Sequence, residues 1–363
     1  MERTSFMIYG AYGYTGELIT RQAIARGHRP LIAGRRKDDL DRLARELDLP
    51  SVCVSLDDPD ALQEAVSRAR VVCHAAGPFI HTSAPMVDAC LAAQTHYIDI
   101  TGEISVFRDI FARHAEAEAR GVALLPGAGF DVVPSDCLAR YVADAVPHAT
   151  DLVLAFSSPG RPSAGTAKAS FEGILRGNFV RRDGELEEIA WGEGVRTVRF
   201  SDRDRTALPI PWGDLETAYR TTHIPNITTL MAVPEAAARV LAFASPVAKS
   251  FMPKLMAGLG APSVREVVLG VIDRYVKNPS DVHRNMGRAH LWARASNDSG
   301  VAREAWLETV DGYALTAESA VLAMEQLLEK KPTGALTPAG AFGADFVLGV
   351  KGSFRSDTLS SAR

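Results

Sequence analysis

Three glycines near the start of the chain, Gly10, Gly13 and Gly16, have a spacing that suits nucleotide chemistry. They follow an apolar segment, residues 5–9, and open an amphipathic one. Glycines in a strand-to-helix turn let the backbone approach a pyrophosphate, whose charge then faces the helix N-terminus. A glycine triplet alone is a weak signal, but this context predicts a dinucleotide-binding turn. The turn residues assigned to the same site are Tyr12, Tyr14 and Thr15.

The end of the second predicted strand indicates which nucleotide the turn would bind. An NAD site usually has Asp or Glu there, which accepts from the ribose hydroxyls. This chain has Gly34, Arg35 and Arg36 instead. Gly34 leaves space, and the planar Arg35 guanidinium can bind phosphate oxygens bidentately at any working pH. The exchange predicts NADP, bound through its 2′-phosphate; the alternative is that both arginines only begin a solvated helix.

Two later segments are predicted to complete the cofactor site. Asp57 follows the third strand, where a carboxylate can accept from the adenine amino group, although surface turns also favour Asp. A Gly-Pro segment ends the fourth strand, beside the point where the strand order of a doubly wound sheet reverses. Its alternative is a simple turn. The residues of this segment assigned to the nicotinamide ribose are Ala76, Gly77, Pro78 and Phe79.

The candidates for catalysis are polar residues at the ends of strands five and six, because those ends open into the ligand crevice. They are Asp99, Glu103, Asp131 and Ser135. Carboxylates near a nicotinamide could relay a proton or hold the carboxamide. The alternatives are that Glu103 is an ordinary helix N-terminal acid and that Asp131 caps the helix after it. We assign the catalytic role to Asp131, Glu103 and Asp99. No tyrosine is followed four residues later by lysine, which disfavours the short-chain dehydrogenase mechanism.

The first 130 residues alternate short apolar segments with longer amphipathic ones, which predicts a parallel sheet with helices on both faces. The predicted strands are 5–9, 30–33, 51–54, 71–75, 96–100 and 122–125. The predicted helices are 16–26, 37–47, 60–66, 84–93 and 104–120. This organisation is the doubly wound nucleotide fold.

After Pro147 the pattern changes to polar alternation over residues 196–200, 290–296 and 302–310, typical of an antiparallel sheet with one wet face. Helices are predicted at 165–178 and 234–256, and a late helix at 313–330 is expected to return to the first domain. The predicted class is therefore α/β, a Rossmann sheet with an inserted α+β substrate and dimerisation domain. The expected domains are 1–148 for NADP, 149–311 for substrate, and 312–363 for the returning helix and tail.

Composition excludes several classes of partner. The chain is 47% hydrophobic and 23% charged with a net charge of −4, so the basic footprint of a nucleic-acid binder is missing. Its four cysteines have no metal-ligand spacing, which predicts reduced thiols and no metal site. We expect a cytoplasmic protein without a signal peptide or membrane span. The apolar segment 240–261, interrupted by lysines and prolines, is expected in the core, a greasy pocket or a dimer face.

Several motifs along the chain together resemble the saccharopine dehydrogenase-like oxidoreductases and, among them, the trans-acting enoyl reductases. The carrying segments are Gly10-Ala-Tyr-Gly-Tyr-Thr-Gly16, Ala33-Gly-Arg-Arg36, Ala76-Gly-Pro-Phe79, Tyr97-Ile-Asp-Ile-Thr-Gly-Glu103, Gly129-Phe-Asp-Val-Val-Pro-Ser-Asp136, Ser163-Ala-Gly-Thr166 and Leu336-Thr-Pro-Ala339. The resemblance implies a nucleotide domain split around a substrate domain, NADPH as hydride donor, and a homodimer. The Asp-Pro-Gly step of true saccharopine reductases reads Asp131-Val-Val-Pro134 here, which weakens any claim that saccharopine is the substrate.

The leading hypothesis is NADPH-dependent reduction of an activated C=C or C=N bond in a small or lipid-like metabolite. A second hypothesis is an atypical short-chain reductase or epimerase, which would lack the inserted domain. A third is a binding protein that senses NADP without turning it over. A closed, substrate-sized pocket at the nicotinamide would distinguish an enzyme from a sensor.

Overall fold

The computed structural model describes residues 3–158, 160, 162–239, 258–280, 284 and 286–359. The chain divides into two units, each formed by two segments. Unit 1 comprises Met1–Val133 and Tyr313–Val350, and unit 2 comprises Pro134–Gly312 and Lys351–Arg363. Tyr313–Val350, which holds most of the late helix, belongs to unit 1, whereas the tail Lys351–Arg363 belongs to unit 2. Residues 240–257, which hold most of the predicted helix 234–256 and of the apolar segment 240–261, lie outside the described residues.

Unit 1 is built on a parallel sheet. Its strands are β1 (Thr4–Tyr9), β2 (Leu31–Gly34), β3 (Ser51–Cys53), β4 (Ala69–His74), β5 (His96–Asp99), β6 (Ala123–Leu125) and β15 (Gly334–Ala335). Their order is β15-β6-β5-β4-β1-β2-β3, so the order reverses between β1 and β4. Phe6, Met7 and Ile8 of β1 are all buried, as expected for a parallel strand covered on both faces. The predicted Rossmann class is confirmed.

Helices connect and cover these strands. They are α1 (Tyr14–Ala25), α2 (Lys37–Leu47), α3 (Pro59–Ser67), α4 (Phe79–Ala92), α5 (Ile104–Ala112), α6 (His114–Ala119), α11 (Gly312–Lys330) and α12 (Pro338–Phe342), followed by a 3-10 helix at Phe346–Gly349. The prediction of one helix over 104–120 is wrong, because the helix is interrupted at Arg113 and forms α5 and α6. The first residue of α6, His114, accepts a hydrogen bond from the Ala335 amide of β15 at 3.0 Å.

Unit 2 contains a mixed sheet and its own helices. The strands are β7 (Asp151–Ser157), β8 (Asn178–Arg182), β9 (Glu185–Ile189), β10 (Arg196–Arg199), β11 (Asp204–Pro209), β12 (Asn226–Ala232), β13 (Arg288–Ser296), β14 (Ala302–Val310) and β16 (Phe354–Ser356). The helices are α7 (Val133–Asp144), which enters the unit, α8 (Ala164–Leu175), α9 (Asp214–Thr222) and α10 (Pro262–Tyr275). The main path of the sheet is β10-β11-β12-β7-β13-β14-β16. Most pairs are antiparallel as predicted, but β7 and β12 run parallel.

Candidate nucleotide-binding and active site

The glycine turn lies between β1 and α1, at the carboxyl edge of the sheet in unit 1. Gly10 has φ +82°, a conformation that favours glycine. A Cβ on Gly16 would lie 2.2 Å from the Gly10 carbonyl oxygen, and a Cβ on Gly10 would lie 2.9 Å from the Ala76 Cβ. The turn is therefore a tight cradle that only glycine can line. Its walls come from both strands that flank the reversal of strand order, as the sequence predicted for a dinucleotide site.

The second strand ends against the aromatic ring of Tyr12. The Tyr12 hydroxyl accepts from the backbone amides of Arg35 and Arg36, both at 3.2 Å. The Arg36 guanidinium lies 4.6 Å from the centre of the Tyr12 ring and pairs with Asp39 at 3.0 Å. Arg35 and Arg36 are both exposed. Two exposed arginines thus follow the end of β2 beside Tyr12, and a guanidinium is a group that can bind phosphate oxygens bidentately.

Asp57, the residue assigned to adenine, follows β3 and is exposed. Its backbone amide donates to the Ser55 hydroxyl at 3.2 Å, and that hydroxyl donates to the Asp57 carboxylate at 3.1 Å. These local bonds hold the turn and orient the carboxylate. The adenine role of Asp57 stays a prediction.

The segment after β4 is fixed by hydrogen bonds to its carbonyl groups. The Thr82 hydroxyl lies 2.8 Å from the Ala76 carbonyl and 3.0 Å from the His74 Nε2. His74 is completely buried beside the rings of Tyr9 and Phe79. Burial lowers the pKa of His74 to about 3, so the ring is neutral at working pH. Sequence reasoning missed His74, because a histidine inside an apolar strand belongs to no recognisable motif.

Glu103 binds the helix that follows this segment. Its carboxylate oxygens accept from the amides of Phe79 at 2.8 Å and Ile80 at 2.9 Å, in the first turn of α4. Glu103 stands at the start of α5 but caps α4, so the alternative reading as a helix N-terminal acid applies to a different helix. This cap explains why α4 begins at Phe79, earlier than the predicted residue 84.

Asp99 connects the end of β5 to the loop after β6. One of its carboxylate oxygens accepts from the amides of Thr101 at 3.0 Å and Gly127 at 2.8 Å, and the other from the Tyr97 hydroxyl at 2.6 Å. Tyr97 and Asp99 therefore lie on one side of the strand, as their alternation predicted. Burial raises the pKa of Asp99 to about 6, despite these bonds. Because Asp99 is fully buried, this geometry favours a positioning role.

Asp131 lies in the loop after β6 and is only partly buried. A Cβ on Gly102 would lie 2.9 Å from its carboxylate oxygen, so Gly102 provides room for the acid. Burial and the nearby Glu103 charge raise the pKa of Asp131 to about 6. Of the three predicted acids, Asp131 combines partial exposure with a pKa near neutrality. Those are the properties of a proton donor.

The returning helix α11 fixes the loop that carries Asp131. The Thr316 hydroxyl accepts from the Phe130 amide at 2.9 Å, and the Ser319 hydroxyl donates to the Ala128 carbonyl at 2.8 Å. A Cβ on Gly129 would lie 2.9 Å from the Thr316 side chain. The ring of Tyr313, at the start of α11, lies 5.1 Å from that of Tyr14 in the glycine turn. One helix thus contacts both the cofactor turn and the candidate acid loop.

Ser135, the fourth sequence candidate, lies in unit 2. It is buried and lines a small cavity with the mainly apolar side chains of Leu138, Phe156, Leu291 and Trp292. Elsewhere in unit 2, Ser163 caps α8 by accepting from the Thr166 amide at 3.2 Å. The polar start of α8 therefore has a structural function.

The residues of unit 1 fit a bound NADP on one observation above all, the cradle at Gly10 and Gly16 that a Cβ would fill. Within the described ranges, no group of three or more His, Cys, Asp or Glu side chains is arranged to hold a metal ion. The part of the chain that the structure describes contains no helix long and apolar enough to cross a membrane.

Parts of this chain are similar in sequence to known proteins. The family described as the saccharopine dehydrogenase NADP binding domain matches residues 6–125. A trans-acting enoyl reductase of Mycobacterium leprae is 32% identical over 185 residues, covering 47% of this chain and 44% of that protein. A trans-acting enoyl reductase of Mycobacterium ulcerans is 28% identical over 232 residues, covering 61% and 49%. The chain spans about half the length of these curated relatives.

The fold of the whole chain also has a solved counterpart. The apo saccharopine dehydrogenase (L-Glu forming) from Saccharomyces cerevisiae aligns with a TM-score of 0.62 over 94% of this chain and 95% of its own. At 13% identity, this likeness concerns the fold alone. The glycine cradle and the arginine pair both lie within residues 6–125, the part of the chain that is similar to the saccharopine dehydrogenase NADP binding domain.

Proposed function

We propose that this protein is an NADPH-dependent oxidoreductase that reduces an activated C=C or C=N bond of a small or lipid-like metabolite. The main support for this proposal is the position of Asp131. This partly buried acid lies at the edge of the sheet where the glycine turn also lies. The names of the mycobacterial relatives favour an enoyl substrate over an imine. The inserted unit 2 counts against the atypical short-chain reductase.

The bound cofactor would supply a hydride to the electron-poor carbon of the substrate double bond. The chain then has to supply a proton to the neighbouring atom and to hold the reacting groups in place. Asp131 is the proposed donor, because its pKa of about 6 lets it hold and release a proton near neutral pH. Glu103 and Asp99 are proposed to position the loops on either side of it, through their bonds to α4 and to Gly127.

The cofactor would be held by the glycine turn and by Arg35 and Arg36. The amides of the turn would face the pyrophosphate, and the guanidinium groups would bind the 2′-phosphate. The segment Ala76 to Phe79 borders the turn, as its close approach to Gly10 indicates. We extend the proposal to a homodimer acting in the cytoplasm, which light scattering of the purified protein and localisation of a tagged chain would test.

Turnover with a panel of substrates tests the activity. The purified protein should oxidise NADPH in the presence of at least one 2-enoyl thioester, conjugated enone or cyclic imine, and should use NADH poorly. Asp131→Asn should lower kcat by about a hundredfold, as expected for loss of a general acid, with NADPH affinity unchanged. Asp109→Asn, an exposed acid on α5, is the matched control and should keep full activity.

Two results would count against this assignment. NADPH binding without turnover across the whole panel favours the NADP-sensing protein. Unchanged kcat in Asp131→Asn removes Asp131 from the chemistry, whatever the substrate.

A further inference from the structure

The Tyr12 ring occupies the space that a side chain at residue 34 would need. A Cβ on Gly34 would lie 2.4 Å from Cε1 of Tyr12, and the next two nearest atoms, at 3.0 and 3.1 Å, also belong to Tyr12. Gly34 does not have a positive φ, so its backbone alone would accept an alanine. The Tyr12 ring therefore fills the space that the glycine leaves at the end of β2.

The hydrogen bonds that the Tyr12 oxygen accepts determine where its hydrogen atom can point. Its oxygen accepts from the amides of Arg35 and Arg36, both at 3.2 Å. A phenol oxygen has two acceptor sites and one hydrogen. With both acceptor sites used by amides, the hydrogen points away from these donors and is available to an acceptor. The Arg36 guanidinium against the ring, 4.6 Å from its centre, adds positive charge on the same side of the turn.

We propose that Tyr12 is a specificity-determining residue that recognises the 2′-phosphate of the nucleotide. It orders the backbone of Arg35 and Arg36 through its oxygen and donates its hydrogen to a phosphate monoester. This inference rests on the proposed use of NADP but needs no substrate or turnover. On this view the Tyr12 ring, and not the phosphate, sets the need for glycine at residue 34.

The test measures binding of two probes that differ by this phosphate. Dissociation constants for adenosine 2′,5′-bisphosphate and for 5′-AMP are measured by calorimetry on the full chain. Tyr12→Phe should weaken the bisphosphate about tenfold, because one hydrogen bond to a charged group is lost, and should change 5′-AMP by less than about twofold. Tyr275→Phe, which removes an exposed hydroxyl in unit 2, is the matched control and should change neither constant.

A double-mutant cycle tests the contact between the ring and residue 34. Gly34→Ala should weaken the bisphosphate about tenfold or more, because the new Cβ displaces the Tyr12 ring. In a Tyr12→Ala background the same substitution should change the constant by less than about twofold, since no ring remains to be displaced. Thermal unfolding of each variant checks that it is folded when binding is measured.

Each result separates this inference from the function on which it rests. If wild type binds both probes equally, the NADP assignment of the arginines fails. If wild type prefers the bisphosphate and Tyr12→Phe keeps that preference, the role of Tyr12 fails alone. Tighter bisphosphate binding by Tyr12→Phe would also overturn it, because the hydroxyl would then compete with the phosphate for the two amides. Additive effects of Tyr12→Ala and Gly34→Ala would overturn the contact.

Discussion

The phosphate end and the acid end of the nucleotide-binding edge of unit 1 are built differently. The phosphate end, residues 10–16 and 34–36, joins two neighbouring segments of chain, and its arginines are exposed. The acid end, Asp99, Glu103 and Asp131, is buried or partly buried and is connected to α4 and α11. We therefore expect substitutions of phosphate-end side chains to change ligand binding, and substitutions of acid-end side chains to change stability and its pH dependence.

The largest effect should come from Gly16→Ala, which breaks this division. Its Cβ would lie 2.2 Å from the Gly10 carbonyl oxygen, which is backbone and has nowhere to move. We expect more than about 3 kcal/mol of destabilisation and loss of nucleotide binding, because overpacking forces the turn apart. Urea unfolding and calorimetry measure the two effects. Gly173→Ala, in α8 where a Cβ meets nothing within 4 Å, should cause neither. A folded, nucleotide-binding Gly16→Ala protein would show that the turn is not a closed cradle.

The second effect concerns pH at the acid end. The pKa of Asp131 is raised from 3.8 to about 6 by burial and then by the Glu103 charge. A raised acid pKa favours the protonated folded state, so the contribution of Asp131 to stability is present below pH 4 and is lost as the pH rises through 6. Relative to Asp131→Asn, which does not titrate, wild type should lose about 2 kcal/mol of unfolding free energy between pH 4 and pH 7.

Urea unfolding of both proteins across this pH range measures that difference. Asp109→Asn should run parallel to wild type throughout, because Asp109 is exposed. If the gap between wild type and Asp131→Asn stays constant with pH, the carboxyl is solvated and its proposed role as donor loses its basis.

The third effect belongs to the cap on α4. Glu103→Gln removes the charge that faces the first turn of α4 and turns one acceptor into a donor against an amide. We expect a destabilisation of about 1 kcal/mol, the usual value of a helix cap. The pKa of Asp131 should fall as well, because the Glu103 charge raises it. An isolated surface acid would show neither effect when replaced by its amide.

Unfolding measurements and the pH dependence of the Asp131→Asn difference, repeated in the Glu103→Gln background, give both numbers. Glu64→Gln, an exposed acid on α3, should alter neither. A stable Glu103→Gln protein with an unshifted pH midpoint would refute the electrostatic link between the two carboxylates.

The same difference explains what could be predicted from the sequence. The glycine turn and the arginine pair lie close together in the chain, so spacing and context were enough to find them. The partners of Glu103 lie in α4, more than twenty residues away, and those of the Asp131 loop lie in α11. No local sequence pattern indicates such long-range contacts. The burial of Asp99 was missed for this reason, although its alternation with Tyr97 was recognised.

Helix boundaries show the same limit. The predicted start of α4 at residue 84 missed its first turn because the residue that caps it comes from another loop.

In unit 2 the amphipathic strands β10, β13 and β14 were predicted from their alternation. Strands β7 and β12 were not, since the buried interior strands of a mixed sheet lack a period of two. Local periodicity therefore identified the three alternating strands and missed both the buried strands and the short strand β9, which is largely exposed.

The smallest change in stability should come from Arg35→Ala, which sharpens the comparison from the phosphate end. Arg35 is exposed, so we expect less than about 0.5 kcal/mol of change in unfolding free energy. Affinity for adenosine 2′,5′-bisphosphate should nevertheless fall at least tenfold, about the contribution of one charged contact, while 5′-AMP binds as before. Arg70→Ala, an exposed arginine at the amino end of β4, should leave both probes unaffected. Loss of stability without loss of selectivity in Arg35→Ala would reverse the division, because this arginine would then hold the fold and not the ligand.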